Sequence, residues 1–584
     1  MRTQMKKRNS LLLVVMAMFF CSNKISAQKI GSGYVIDKTS KEAIPYAHVI
    51  KSNKQTGTLT NDDGYFELLC SEKDTLVISY LGYKDYIIAA EELKKDKLIE
   101  LSIDEDTGIG EITITANNDF LYTFIKKAKN KLKKESQTSR SKAYFFTKTT
   151  TEKEPIELSE YFYNASINKG SVESLQYKNG QSHLLRRPDG GFFINLNISK
   201  SISQYSLIDG NKYFPRNPLE LSQKKLKKYF KLELDHQTEE VIIIKFSPKK
   251  NQENLFSGTM WLDAKQYSIK KVILNAADKN NKLFEGIAST KIDRINFSLI
   301  YSYQLDSDMN YLQYIAISYD ALLSNQLGDL FPVNTESILH IYDSNSEFIS
   351  PKITYPEAIS DYRLLTITPD TIIWNKLQKQ NQIKLSSLQK EHLEIVKSHG
   401  INFKFLRGIK MKFFESNYEH WASEYRVRIK KSNKKLEEKE VRKLTDRIAK
   451  TNFLSDKLSI ETILYLDILK TEEGYVYESS AIVDPFNSYN YLDVDDNILA
   501  YINIYFDLTE IYRRQLVDKL RDRNLSIDEI NSIYQNVNKE LAATQADLKK
   551  EAFAGRNITA LERWNTIVMN KLGIDNFDLF GLAK

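Results

Sequence analysis

The sequence predicts a multidomain α+β protein: a small N-terminal β-sandwich, a central antiparallel β-rich domain and a C-terminal helical domain. Three observations carry that prediction. Short β-rich segments between residues 28 and 115 are separated by turn chemistry at Gly31, Gly33, Pro45, Gly57, Gly64 and Gly82. From about 140 to 370 the chain is rich in β-branched and aromatic residues that partly alternate with polar ones. After about 372, apolar residues recur at helical spacing. A chain of 584 residues is too long for one core. The expected division is an export signal at 1–27, the sandwich at 28–115, a helix plus β-rich domain at 116–371, and a helical domain at 372–584.

The first residues combine Arg2, Lys6, Lys7 and Arg8 with the apolar run Leu11 to Phe20 and small residues at Ser26 and Ala27. That is the layout of a signal peptide, placing the mature start near Gln28. Lipidation at Cys21 is the alternative, with Phe20 occupying the position where a small residue would precede the cysteine. Five positive residues of the formal +7 lie in this segment, which has no acidic residue, so 7 − 5 leaves +2 for the mature chain. A near-neutral balance gives no basic footprint for nucleic acid. Removing Cys21 leaves Cys70 alone, so no internal disulfide forms and the fold rests on buried apolar area. No later segment has the length and hydropathy of a membrane-spanning helix. The strands are not spaced as in an outer-membrane barrel, and the chain ends FDLFGLAK without a terminal aromatic.

Within 28–115, Gly33, Val35 and Asp37 are followed by Ile44, Pro45, Ala47 and Val49, then Thr60, Gly64 and Phe66, then Leu76, Ser79, Gly82 and Tyr83. This set resembles the carboxypeptidase regulatory-like domain of Bacteroidetes envelope proteins, with Tyr34 set directly before Val35 as a departure. The resemblance implies a seven-stranded transthyretin-like sandwich, used beside enzymes, receptors and other envelope proteins alike. It implies no peptidase activity, because function belongs to sites rather than folds.

A helix is expected next, with Phe120, Ile125, Ala128 and Leu132 near one face and six lysines between Lys126 and Lys134 on the rest. The lysines read as a solvated face or, alternatively, as a membrane-attracting one. Gly258, Trp261, Asp263, Tyr267 and Ile269 resemble a segment of Bacteroidetes envelope proteins in which the β module precedes a curved sheet like that of lipoprotein carriers. That resemblance implies a face able to hold a lipid or extended peptide; the alternative is a face filled by the protein's own side chains.

In the C-terminal region, residues 377–400 read as a helix ended by Gly400, and residues 434–452, 497–524 and 526–553 as further helices. Ser526 with Glu529, and Thr559 with Glu562, have capping-box spacing. Ile498, Tyr501, Ile502, Tyr505, Leu508 and Ile511 form an apolar stripe that reads as bundle core or as a groove for a partner.

Metallocarboxypeptidase chemistry needs an H-x-x-E pair and a third ligand around an open zinc. His236 and Glu239 supply the pair and His340 a conceivable third ligand, but the pair falls at a hairpin tip between two strand-like runs. His392 and His399, seven apart, could share a helix face. The acidic runs Asp306–Asn310 and Asp493–Asn497 mimic the start of a calcium loop yet lack its Gly and Glu, and the second suits a helix N-terminus. There is no nucleophile elbow, phosphate loop or dinucleotide fingerprint. The expectation is therefore no catalytic residue, cofactor or metal, and an exported cell-envelope protein, periplasmic, outer-membrane associated or secreted, with a binding or assembly role. Its partner would be an envelope protein, or a lipid or peptide ligand. The alternatives are a metallocarboxypeptidase or other hydrolase, and a lipid or lipoprotein carrier using the central sheet.

Overall fold

The computed structural model describes residues 28–52, 56–104, 119–134, 138–186, 202, 205–211, 214–249, 254–278, 291–306, 309–324, 328–344, 346, 371–402, 419–424, 426–427, 457–471, 474–521 and 525–582. The expected signal at 1–27 and the expected helix at 434–452 lie outside them.

Seven strands form the N-terminal module: β1 (Gln28–Asp37), β2 (His48–Lys51), β3 (Gly57–Leu59), β4 (Tyr65–Ser71), β5 (Thr75–Ser79), β6 (Tyr86–Ala89) and β7 (Lys97–Leu101). They build two sheets, ordered β4-β1-β7 and β3-β2-β5-β6, around Val35, Phe66, Leu68, Ile78 and Ile99. The motif residues are held together by hydrogen bonds. Asp37 accepts from the backbone N–H groups of Thr39 and Ser40 and from the Tyr83 hydroxyl at 2.8 Å. Buried Thr60 donates to the Ile44 carbonyl and accepts from the Ala47 N–H. Gly64 closes the turn after Asn61 at φ +74°, a left-handed conformation that a side chain would strain.

Helix α1 (Asp119–Lys134) buries Leu121, Tyr122, Ile125, Ala128 and Leu132. Ten strands and a short helix follow: β8 (Ser139–Thr151), β9 (Glu154–Asn168), β10 (Ser171–Leu184), α2 (Gln223–Tyr229), β11 (Phe230–Gln237), β12 (Val241–Pro248), β13 (Ser257–Asp263), β14 (Ile269–Asp278), β15 (Lys291–Asp306), β16 (Met309–Ser324) and β17 (Leu330–Asp343). With β18 (Ile401–Asn402) they make an eleven-stranded antiparallel sheet ordered β11-β12-β13-β14-β15-β16-β17-β8-β9-β10-β18. Burial is nearly unbroken along β8 and β9, as expected for strands covered on both faces. On one face Phe145, Tyr161, Tyr163, Leu299 and Tyr301 pack with α1. On the other, Tyr144, Phe146, Leu158, Phe162, Tyr314 and Ile338 pack with Leu59 of the module and with Leu377, Leu393 and Val396.

The region after 372 departs from a purely helical reading. Helices α3 (Thr371–Leu377) and α4 (Ser387–His399) lie on the central sheet, and β18 extends it. The expected helix at 377–400 is broken: residues 378–386 form a strap, and Ser386 caps α4 in a reciprocal capping box with Gln389. Gly400 ends α4 at φ −94°, extended rather than left-handed; a Cβ there would lie 2.1 Å from the Val396 carbonyl oxygen.

Beyond the strap, a three-stranded sheet of β19 (Glu419–His420), β20 (Leu458–Thr471) and β21 (Gly474–Asn490) precedes the bundle. The bundle comprises α5 (Asp496–Leu520), α6 (Ile527–Ala552), α7 (Ile558–Leu572) and α8 (Asn576–Leu579). The α5 stripe, including Ile498, Tyr501, Ile502, Leu508 and Ile511, is core, packed with Leu464, Leu466 and Ile468 of the hairpin. Ser526 and Glu529 form the expected capping box, but α7 starts earlier than Thr559: its N-cap is Asn557, which accepts from the Ala560 N–H. No helix among the described residues is long and apolar enough to cross a membrane.

Candidate binding surfaces

The strands place the three candidate zinc ligands apart. His236 lies on edge strand β11 and Glu239 in the turn after it, its side chain 92% exposed beside Lys265. His340 lies on β17, six strands away, which is roughly 29 Å along a sheet at the usual interstrand spacing. His340 is also fully buried, and its Nδ1 accepts a hydrogen bond from the Ile383 N–H at 3.1 Å. Burial pushes its pKa down to about 3. Geometry therefore does not assemble the pair and third ligand that peptidase chemistry requires.

The other sequence candidates also have local structural duties. His392 is buried in α4, whereas His399 is exposed at its end beside Ser398, so the two do not converge. Asp306 and Met309 are cross-strand partners closing the β15–β16 hairpin, and residues 307–308 lie outside the described part. Asp495 is the N-cap of α5, accepting from the Ile498 N–H at 2.9 Å and pairing with Arg556. Among the described residues, no three His, Cys, Asp or Glu side chains are grouped to hold a metal.

The α1 face of the central sheet is filled from within. Tyr205, Phe214, Phe256, Phe297 and Tyr301 form one aromatic assembly with ring centroids 4.7–6.4 Å apart. The Tyr301 hydroxyl donates to the Tyr205 carbonyl, and the Tyr122 hydroxyl of α1 donates to the Phe230 carbonyl. These bonds tie the filling segments to the sheet. The carrier-like resemblance at 256–274 has a local cause: Asp263 accepts from the Lys265 and Gln266 N–H groups to turn β13 into β14, and Gly258 lets the two strands approach.

The opposite face is divided. At one end the module docks: Tyr46 and Tyr314 rings lie 5.8 Å apart, and half-buried His48 reaches Ser302 at 3.5 Å. Burial lowers the His48 pKa to about 4, with nearby Lys271 adding to the effect. The strap then ties the module down. Thr58 and Asn61 donate to the Gln382 and Leu385 carbonyls, the Leu69 N–H donates to Asn381, and Ser387 and Gln389 donate to Asp63 and Asp62. Across β13–β16 the same face stays open and polar, with a groove of about 330 Å³ lined by Ser257, Asn275, Asn296, Ser298, Ser318 and Asp320. A second groove, of about 490 Å³, runs between α5 and α6 beside Lys519, Lys539 and Glu540. Sequence reasoning missed the strap, although S-x-x-Q at Ser386 to Gln389 was a readable sign of where α4 begins.

The N-terminal unit is thus a two-sheet, seven-stranded sandwich docked on a larger sheet. Its family is specific: residues 31–114 match the CarboxypepD_reg-like domain, and the module is a domain of that family. Over 83 residues the chain is 35% identical to the TonB-dependent receptor SusC of Bacteroides thetaiotaomicron, covering 14% of this chain and only 8% of that protein's length. Among solved structures, it is similar to a domain described as that of an outer membrane lipoprotein-sorting protein from Vibrio parahaemolyticus. There the identity is 14%, with 39% of this chain and 92% of the other covered and a TM-score of 0.18. The Pseudomonas aeruginosa MucA/MucB complex matches at 9% identity, with 37% and 92% covered and a TM-score of 0.15. Likenesses at these scores establish no shared fold.

Proposed function

We propose that this chain is an exported cell-envelope protein with a non-enzymatic binding or assembly role, residues 1–27 serving as its export signal. The observation that carries the reading is the strapped docking of the module onto the central sheet. It joins two domains into one platform and leaves the polar β13–β16 face open beside them. The module's family and its likeness to a Bacteroides receptor support an envelope setting.

A lipid or lipoprotein carrier using the α1 face would first have to displace Tyr205, Phe214 and α1, which occupy that face. The metallocarboxypeptidase reading would need His236 and His340 brought together from strands six apart. The test is cell fractionation of the full chain, combined with a photo-crosslinker placed at Asn296 or Ser318 and lipid extraction of the purified protein. A discrete adduct to one envelope protein supports the proposal. Recovery in the cytoplasm, or stoichiometric bound lipid with no adduct, overturns it.

A further inference from the structure

The C-terminal lobe meets the central sheet through a charged side chain. In hairpin β20–β21, Leu464, Leu466 and Ile468 face the helices, which turns Tyr465 and Asp467 the other way. Asp467 is 3% exposed and forms an ion pair with Lys178, whose side chain is 1% exposed, on β10. Lys178 sits where the β9–β10 register shifts, between Tyr177 and Asn179, and that bulge re-aims it. Asn164 on β9 donates its Nδ2 to the same carboxylate at 3.1 Å.

Two further polar groups border this pair. Gln176 is the cross-strand partner of Asn164, is 2% exposed, and has no hydrogen-bond partner for either amide atom among the described residues. Tyr342 is buried, its hydroxyl likewise lacks a partner among the described residues, and burial raises its pKa, with the Asp343 and Asp467 carboxylates adding to the rise. Opposite Asp467 on the hairpin stands a second carboxylate, Glu478. The apolar cluster of the lobe shares no residue with the two clusters of the central sheet, whereas Leu59 of the N-terminal module belongs to one of them.

We propose that the C-terminal lobe is a movable unit latched to the central sheet by Asp467, seated in a carboxylate site formed by Lys178, Asn164, Gln176 and Tyr342. Two features favour release over permanent fusion. Burying an ion pair costs desolvation that its attraction only partly returns. Leaving Gln176 without a partner among the described residues adds a cost that water would remove on opening. A lobe meant to stay fixed would be better served by apolar packing of the kind that holds the module.

The test uses the full chain and three variants: Asp467→Asn, Lys178→Met, and the double replacement Lys178→Met with Asp467→Leu. Solution scattering reads the separation of the lobe, and hydrogen exchange reads the uncovered strands. Each single variant should shift the closed-to-open balance by roughly two to three orders of magnitude, the effect of stranding one buried charge. Exchange should quicken in residues 174–180 and 463–469 and the radius of gyration should rise, while exchange in α5–α7 stays unchanged. The double variant should close again, since an apolar pair of similar volume needs no compensation. Unchanged scattering and exchange in both single variants would sink the latch. So would a matching rise of exchange across α5–α7, which would mean that the lobe unfolds rather than swings.

Discussion

His340 of β17 accepts a hydrogen bond from the backbone N–H of Ile383, which lies 43 residues later in the strap. The bond occupies the lone pair of Nδ1 inside a fully buried site, so the ring is neutral and carries its proton on Nε2. His48 from the module is half-buried in the same interface, facing Lys271, Ser302 and Tyr314. Both pKa values are lowered by burial, His340 to about 3 and His48 to about 4, from 6.5. A lowered histidine pKa means that the unfolded chain binds more protons. The stabilisation is therefore complete above pH 6.5 and is lost as pH falls toward 4. Each ring should contribute a slope of about 1.4 kcal/mol per pH unit in that window. Urea denaturation of the wild type and His340→Gln between pH 4 and 8 checks this; an acid slope undiminished in the variant would refute it.

Gly258 should tolerate no side chain. A Cβ there would lie 1.8 Å from the Ile273 carbonyl oxygen on the paired strand, a contact with backbone that no rotamer relieves. Gly258→Ala should cost about 3 kcal/mol or prevent folding, read as a fall in the urea midpoint. A change below roughly 0.5 kcal/mol would show that the strands can separate at little cost.

His236 and Glu239 occupy an edge strand and an exposed turn. Replacing either with Ala should alter stability by less than about 0.5 kcal/mol and leave the metal content of the purified protein unchanged. Elemental analysis with a peptidase assay decides the matter; stoichiometric zinc lost in His236→Ala would restore the metallocarboxypeptidase reading.

Asp507 of α5 is fully buried and gathers the Trp421 Nε1–H at 2.7 Å, Arg426 at 3.1 Å and the Asn576 amide at 2.8 Å. Asp507→Ala would strand the Arg426 charge, costing about 3–5 kcal/mol. Asp507→Asn keeps the shape but sets an amide N–H₂ against a donor, and should fall between the two. Thermal denaturation followed by circular dichroism measures both, and equal stability of Asp507→Ala and wild type would remove this cluster from the account of the bundle.

Much of the module was legible because its signals are local. Thr60, Gly64 and Phe66 act within one hairpin, and Asp37 meets Tyr83 through a motif whose two halves both stand in the sequence. The α1 face and the Ser526 cap were legible for the same reason. Three features were not. The β20–β21 hairpin lies among helical segments, and its alternation gave no indication of its neighbours. The strap was hidden because the polar run at 378–386 continues an apparent helical pattern until Ser386 caps a new helix. The pairing of β17 with β8 joins segments some two hundred residues apart and has no short-range signature. For the candidate sites, residue spacing revealed the H-x-x-E pair but not the five strands that intervene between it and His340.

The strap also imposes an order of events on the growing chain. Thr58 and Asn61 wait for Gln382 and Leu385, each 324 residues downstream, while the module has an apolar core of its own and needs nothing from them to close. An N-terminal domain folds first during synthesis, so the module must exist for a time as a finished sandwich with Leu59 and Tyr46 facing water. Contacts of such long range are entropically slow to form. The interval before the strap arrives is thus when a chaperone, or a second sheet surface, has access to the face that the mature protein conceals.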